Sequence, residues 1–265
     1  MALSGAAIAL AAVLLAAFAT WAVSVARRDV SIVDSLWGPM IVLAPWAYLA
    51  ATIEAGPRAV LVLLLASAWA LRLAGHITWR NRGHGEDRRY QAIRARNEPH
   101  FAFKSLYLVF GLQAVLAWVV ALPLMAALAS DRPLGWLDTL GAGLWLSAIV
   151  FEAVADWQLA RFKADATHRG QVMDRGLWAW TRHPNYFGEC LAWWGAWLVA
   201  VGADAAWTVV SPLLMTLLLL RVSGVVLLER DLLERRPAYR EYVARTSAFV
   251  PWPPKRRSPG AKEPA

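Results

Sequence analysis

The stretch Thr181-Arg182-His183-Pro184-Asn185-Tyr186-Phe187-Gly188-Glu189 runs without a break into Cys190-Leu191-Ala192-Trp193-Trp194-Gly195. A cation, an imidazole, an amide, a phenol and a carboxylate therefore stand directly before an apolar segment. Pro184 disfavours a helical conformation at His183 yet suits the first turn of a new helix. Asn185 and Gly188 permit close backbone approach, so a helix is expected to start here, its free N–H groups facing Arg182 and His183. Such a start suits an anion. Glu189 already lies within the apolar segment, where a carboxylate is costly. The blander reading is an interfacial turn whose polar residues only anchor a membrane helix.

Outward from this turn the chain is apolar almost throughout. Of its 265 residues 58% are hydrophobic, 16 are Trp, and the apolar runs are long enough to cross a bilayer. The expectation is an all-α integral membrane protein with about seven transmembrane helices. The spans fall near 3–25, 36–53, 59–79, 106–128, 134–159, 187–201 and 206–228. Polar loops cover 80–100 and 161–182, and 229–248 reads as a charged helix. Residues 1–254 form a single transmembrane domain, followed by a disordered basic tail at 255–265. The apolar N-terminus lacks a basic leader and a cleavage site, and reads as the first span.

A net charge of +8 would suggest nucleic acid in a soluble chain. Here the basic residues separate hydrophobic runs, so membrane orientation accounts for them and no nucleic-acid partner is expected. Of the 27 Lys and Arg, only Arg58 and Arg132 fall on one side of a seven-span layout. Arg72 and Arg221 lie within spans, and all the others fall on the opposite side. This asymmetry predicts an outside N-terminus and a cytoplasmic C-terminus. The lone Cys190 excludes an internal disulfide, and the scattered histidines lack metal-ligand spacing, so no metal site is expected.

Ionisable groups inside a membrane must be paired or hydrated and are functional candidates. Arg72 and His76 share a face of the third span, and Glu152 and Asp156 share one of the fifth. Gln113, Glu189, Arg221 and Glu229 add to them. Together they describe a polar cavity open to the cytoplasm; the alternative is a set of ion pairs that only fixes packing. Tyr242, beside Arg240 and Arg245, either lines a cofactor mouth or belongs to an interfacial amphipathic helix. No dinucleotide-binding glycine fingerprint, phosphate-binding loop or metalloprotease motif is present.

The turn 182–189, with Glu152 and Asp156 upstream and the ending Tyr242-x3-Thr246-Ser247-x-Phe249-Val250-Pro251, resembles the steroid 5-alpha-reductase superfamily, and more closely its bacterial branch of membrane proteins. Asp34-x2-Trp37-Gly38, Trp69-x2-Arg72-Leu73 and Gly85-Glu86-Asp87-x-Arg89-Tyr90 extend the resemblance from about residue 30 to 254. The resemblance implies seven membrane helices in a bacterial inner membrane and a cytoplasm-facing NADPH site. It also implies reduction of a carbon–carbon double bond conjugated to a ketone in a lipid-like substrate. Asn185 and Glu189 match the family's cofactor-holding asparagine and glutamate, Asp156 its aspartate, and Lys163 a basic residue at the phosphates. Arg182, His183, Tyr186, Glu152, Arg230 and Tyr242 are the further cofactor-binding candidates. The family's Gln–Glu pair in span 2 and Tyr in span 3 have no counterpart in those spans. Arg72, His76, Asp34 and Tyr90 are therefore the candidates for polarising the ketone, with Arg72 first among them.

The alternative is a methyltransferase using S-adenosylmethionine. Isoprenylcysteine and phospholipid methyltransferases share an Arg-His-Pro-x-Tyr turn and a Glu-rich last helix. Asn185 with Glu189, and the cations Lys163, Arg169 and Arg175, suit a dinucleotide better. A monomer or weak homo-oligomer is expected.

Overall fold

A computed structural model describes residues 1–52, 55–222, 225, 229, 232, 233 and 238–255. All regular structure among them is helical, and the described residues form no strand beyond an isolated bridge between Thr181 and Ser247. Five helices are long and apolar enough to cross a membrane: α1 (Leu3–Arg27), α2 (Ile32–Thr52), α3 (Pro57–Asn81), Phe101–Val120 and Trp136–Ala164. Two more apolar helices follow. Pro184–Gly202 carries Asn185 and Glu189 in its first turns, and Ala206–Val222 is shorter.

Two expectations change. The loop at 80–100 contains a helix, α4 (Arg88–Asn97), capped by Asp87, whose carboxylate accepts from the Arg89 N–H at 2.9 Å. Its arginines read as loop polarity, although arginine is a good helix former once a cap starts the turn. The fourth span is interrupted: Phe101–Val120, which includes a π-turn at Leu106–Gly111, stops at Ala121, and the chain resumes as Leu122–Leu128. Pro123 has no N–H for the helical ladder and sits in the first turn of the new helix, as proline prefers. The tail at 256–265 and residues 230, 231 and 234–237 of the charged segment lie outside the described residues.

The chain divides into two compact units. Met1–Gly143 with Trp194–Pro212 form one, and Leu144–Trp193 with Leu213–Ala265 the other. In the first unit α1 packs on α2 and α2 on α3. Glycines permit these approaches, because lipid supplies no hydrophobic drive between helices and close van der Waals packing must. A Cβ on Gly5 would come within 2.5 Å of Thr52, and one on Gly38 within 3.2 Å of the Ala70 Cα. Val13, Val33, Ile41, Val62, Trp69 and Phe110 are fully buried in this unit. Trp118 Nε1 ties the Phe101–Val120 helix to α1 by donating to the Ala6 carbonyl at 3.0 Å.

At one end of the first unit Arg58 is 3% exposed and fully engaged. Its Nε and Nη2 donate to the Asp138 carboxylate at 2.8 and 2.9 Å. The remaining N–H groups reach Ser130 Oγ and the carbonyls of Arg132 and Pro133. A buried charge is tolerated when every donor is satisfied, so this pair pins the start of α3 to the turn before Trp136–Ala164.

In the second unit Trp136–Ala164 and Pro184–Gly202 meet at Gly188, where a Cβ would fall 2.6 Å from Glu152 Cγ. Trp145 and Trp193 stack obliquely below it, centroids 6.2 Å apart. Trp178 Nε1 donates to the Ala155 carbonyl at 3.0 Å, and the Gln158 amide oxygen accepts from the Leu177 N–H. Gly176, at φ +59°, sits against that amide, so the loop after residue 164 folds back onto its own helix.

Candidate functional site

The first unit assembles one polar cluster. Asp34 lies in the first turn of α2, half-buried. Tyr90, buried on α4, donates its O–H to Asp34 Oδ1 at 2.5 Å, and Arg89 Nη2 donates to Oδ2 at 2.7 Å. Gln113, just past the π-turn, donates its amide N–H to the Tyr90 oxygen at 3.2 Å. An acid, a phenol and an amide thus converge from three separate elements.

A second layer holds α4 in place. Glu86 accepts from the Val30 N–H at 2.9 Å and takes both nitrogens of Arg94, at 2.7 and 3.0 Å. Burial would raise the Glu86 carboxyl, but the hydrogen bond from Arg94 and the Val30 N–H outweigh it and hold it below the ordinary range. Burial pushes the Tyr90 phenol well above its ordinary value, and the neighbouring Asp34 charge adds to this. Tyr90 therefore stays protonated at neutral pH. Arg72 and His76 lie a turn apart on α3, both half-buried, with the His76 ring 6.1 Å from that of Trp79.

The second unit assembles the other. Glu152, Asp156 and Glu189 are 1%, 7% and 9% exposed. Asn185 Nδ2 donates to Asp156 Oδ1 at 3.3 Å, and its own oxygen accepts from the Tyr186 N–H at 3.1 Å. Lys163 is exposed, two turns beyond Asp156 on the same helix face. The Tyr186 and His183 rings lie parallel, 5.5 Å apart.

Arg182 is engaged by the chain itself. Its Nε and Nη2 donate to the Glu229 carboxylate at 2.6 and 3.0 Å, and Nη1 donates to the carbonyls of Val243 and Thr246. His183 Nε2 lies 3.1 Å from the same carboxylate. Tyr242, 2% exposed, donates to the Trp178 carbonyl at 2.5 Å. Arg182, His183 and Tyr242 therefore bind the C-terminal segment to the turn before Pro184. Arg230 lies outside the described residues.

Sequence reasoning paired Asp34 with neither Tyr90 nor Gln113, and gave Glu229 no partner. The Gly85-Glu86-Asp87-x-Arg89-Tyr90 motif held the signal for the first, since its acids and arginines are the groups that lock α4. Gln113 carried none, because the π-turn that sets its direction is not written in residue type.

A helical multi-span membrane protein with two polar clusters is what fold and site define. The chain belongs to the DUF1295 family, described as proteins of unknown function, whose model matches residues 20–246. It is similar to an uncharacterized protein of Schizosaccharomyces pombe, 26% identical over 262 residues, covering 87% of this chain and 75% of that one. No solved structure matches it.

Proposed function

We propose that the protein is a membrane-embedded NADPH-dependent reductase of a carbon–carbon double bond conjugated to a ketone, acting on a lipid-like substrate. In this reading residues 1–254 form one seven-helix domain of a bacterial inner membrane, N-terminus outside and C-terminus cytoplasmic. The observation that carries it is the Asp34–Tyr90–Gln113 convergence. Acid, phenol and amide are the groups with which steroid 5-alpha-reductases polarise their ketone, and here they come together from different positions in the chain. An oxygen gaining negative charge needs a protonated donor, and Tyr90 is one; its single O–H, given to Asp34 in the unliganded chain, turns to the ketone oxygen while Asp34 keeps Arg89. Asp34 and Gln113 fix where the phenol sits. Arg72 and His76 remain candidates to line the same reaction.

The donor set of the second unit fits a dinucleotide. Buried carboxylates at Glu152, Asp156 and Glu189 accept from ribose hydroxyls and a carboxamide, and the Asn185 amide offers both a donor and an acceptor. Lys163 and Arg169 are exposed cations for phosphates. Arg182, engaged on Glu229, holds the turn in shape. Bound NADPH supplies the hydride for the β-carbon of the enone.

The methyltransferase reading keeps one observation. The Arg182 and His183 pairing with Glu229 joins the two elements shared with isoprenylcysteine and phospholipid methyltransferases. Thermal stability of the detergent-purified protein with NADPH, NADH and S-adenosylmethionine, added separately, tests both. A ligand at a hundred times its Kd stabilises the folded state by about 2.7 kcal/mol. The expected result is a shift with NADPH, lost in Glu189→Ala while the unliganded variant melts with the parent. A shift with S-adenosylmethionine alone transfers the site to the methyltransferase reading.

A further inference from the structure

The helix Trp136–Ala164 has two faces of opposite character. Glu152 and Asp156 are buried, whereas Leu146, Val150, Val154 and Trp157, at three- and four-residue spacing, are 52%, 61%, 37% and 58% exposed. Along the exposed face runs an apolar groove of about 420 Å³, bordered on its far side by Leu177. Directly after it comes a groove of about 530 Å³ containing Trp157, Arg161, Phe162 and His168, bordered by Arg175 and Gly176. Leu177, Gly176 and Arg175 are consecutive, so the two grooves adjoin.

The second groove is cationic. Arg161 lies over the Trp157 ring at 5.5 Å, and neither Arg161 nor Arg175 has an ion-pair partner among the described residues. Asp165, the one acid of the groove, is turned to its own loop: it accepts from the Thr167 N–H and hydroxyl, and lies 3.7 Å from His168 Nδ1. The His168 ring stacks on Phe162 at 4.4 Å. Fifteen residues separate Leu146 from Arg161, which at about 1.5 Å per residue is about 22 Å of helix. A single leaflet's hydrocarbon is about 15 Å deep.

We infer that this face is a binding site for one anionic membrane phospholipid. Its acyl chain lies along Leu146–Val154 and its phosphate meets Arg161 and Arg175. Charge complementarity and dimensions both select an amphiphile: a tail-length apolar groove opens into unpaired guanidiniums beside an exposed Trp, the residue of membrane–water interfaces. Glu152 and Asp156, proposed to hold a dinucleotide, lie on the opposite, buried face, with Lys163 and Arg169 as its cations. Arg175, a dinucleotide candidate by sequence, goes here to the lipid, and the two assignments are separated by the test below.

Native mass spectrometry and thermal melting of the full chain in neutral detergent test it, with phosphatidylglycerol, phosphatidylcholine and inorganic phosphate as probes. Phosphatidylglycerol is expected to be retained at one per chain and to raise the melting temperature, with phosphatidylcholine and inorganic phosphate doing neither. Arg161→Gln with Arg175→Gln is expected to weaken phosphatidylglycerol by about thirtyfold, since two interfacial cations contribute about 2 kcal/mol. Both side chains are exposed, so this variant is expected to melt with the parent when lipid is absent. Ser147→Trp, which fills the apolar groove, is expected to abolish the preference for long acyl chains. Equal retention of phosphatidylcholine, an equal shift with inorganic phosphate, or undiminished phosphatidylglycerol binding in the double variant overturns the site. So does loss of an NADPH-induced shift in that variant, which would give these cations to the nucleotide.

Discussion

Tyr90→Phe is expected to lower turnover of an enone lipid by about a hundredfold to ten-thousandfold, the range for a positioned acid or base, while leaving cofactor-induced stabilisation intact. The substitution removes one oxygen. Asp34 keeps Arg89 as its partner, and Gln113 loses only an acceptor, so the fold around α4 survives. Asp34→Asn is expected to act less severely, because it leaves the phenol in place and changes only what positions it. The two variants are separated by measuring NADPH oxidation and melting temperature on the same preparations. A Tyr90→Phe enzyme with parental turnover removes the phenol from the reaction and returns the role to Arg72 or His76.

The pH dependence follows from the same geometry. Burial and the Asp34 charge raise the folded-state value of Tyr90 above that of an unfolded tyrosine, about 10. The stability this difference contributes is fully present below about pH 10 and is lost as pH rises through the folded-state value. Glu86 behaves in the opposite sense: its depressed carboxyl stabilises the fold above the unfolded value, about 4.3, and that contribution is lost as pH falls through the folded-state value. Melting temperature is therefore expected to hold from mildly acidic pH to about pH 10. The alkaline decline should be shallower in Tyr90→Phe.

The apolar helices were legible because twenty apolar residues in a row have few alternatives to crossing a bilayer. The helix start at His183-Pro184 was legible for a local reason, since proline suits a first turn. What was not legible depended on neighbours far away in the chain. Whether an arginine-rich segment is loop or helix turned on the Asp87 cap and on the Glu86 anchor to Val30. Asp34 and Tyr90 could be named but not paired, because they stand 56 residues apart, and Asp138, 80 residues from its partner Arg58, was not singled out at all. Arg182 shows the same limit. Its place before a helix start suited an anion, while four of its contacts lie 47 to 64 residues further along the chain.

Those contacts set the second large effect. Removing one member of a buried, hydrogen-bonded charge pair leaves the other uncompensated and costs about 3–5 kcal/mol. Arg182 is 8% exposed, and its guanidinium holds Glu229, Val243 and Thr246 at once. Arg182→Gln and Glu229→Gln are each expected to lower the melting temperature sharply. The double variant is expected to be less damaged than the sum of the two, because neither charge is then left alone. A phosphate-binding arginine behaves otherwise: its loss weakens NADPH without moving the unliganded melting temperature, and Glu229→Gln does not compensate. Melting the four proteins of this cycle with and without NADPH separates the roles. A parental melting temperature with weakened NADPH would place Arg182 on the cofactor instead of on the C-terminal segment, and additive losses would mean that Arg182 and Glu229 stabilise the fold separately. Strong coupling would mean that the Arg-His-Pro turn acts through the fold, by fastening the last helix to the start of Pro184–Gly202 and so holding Asn185 beside Asp156.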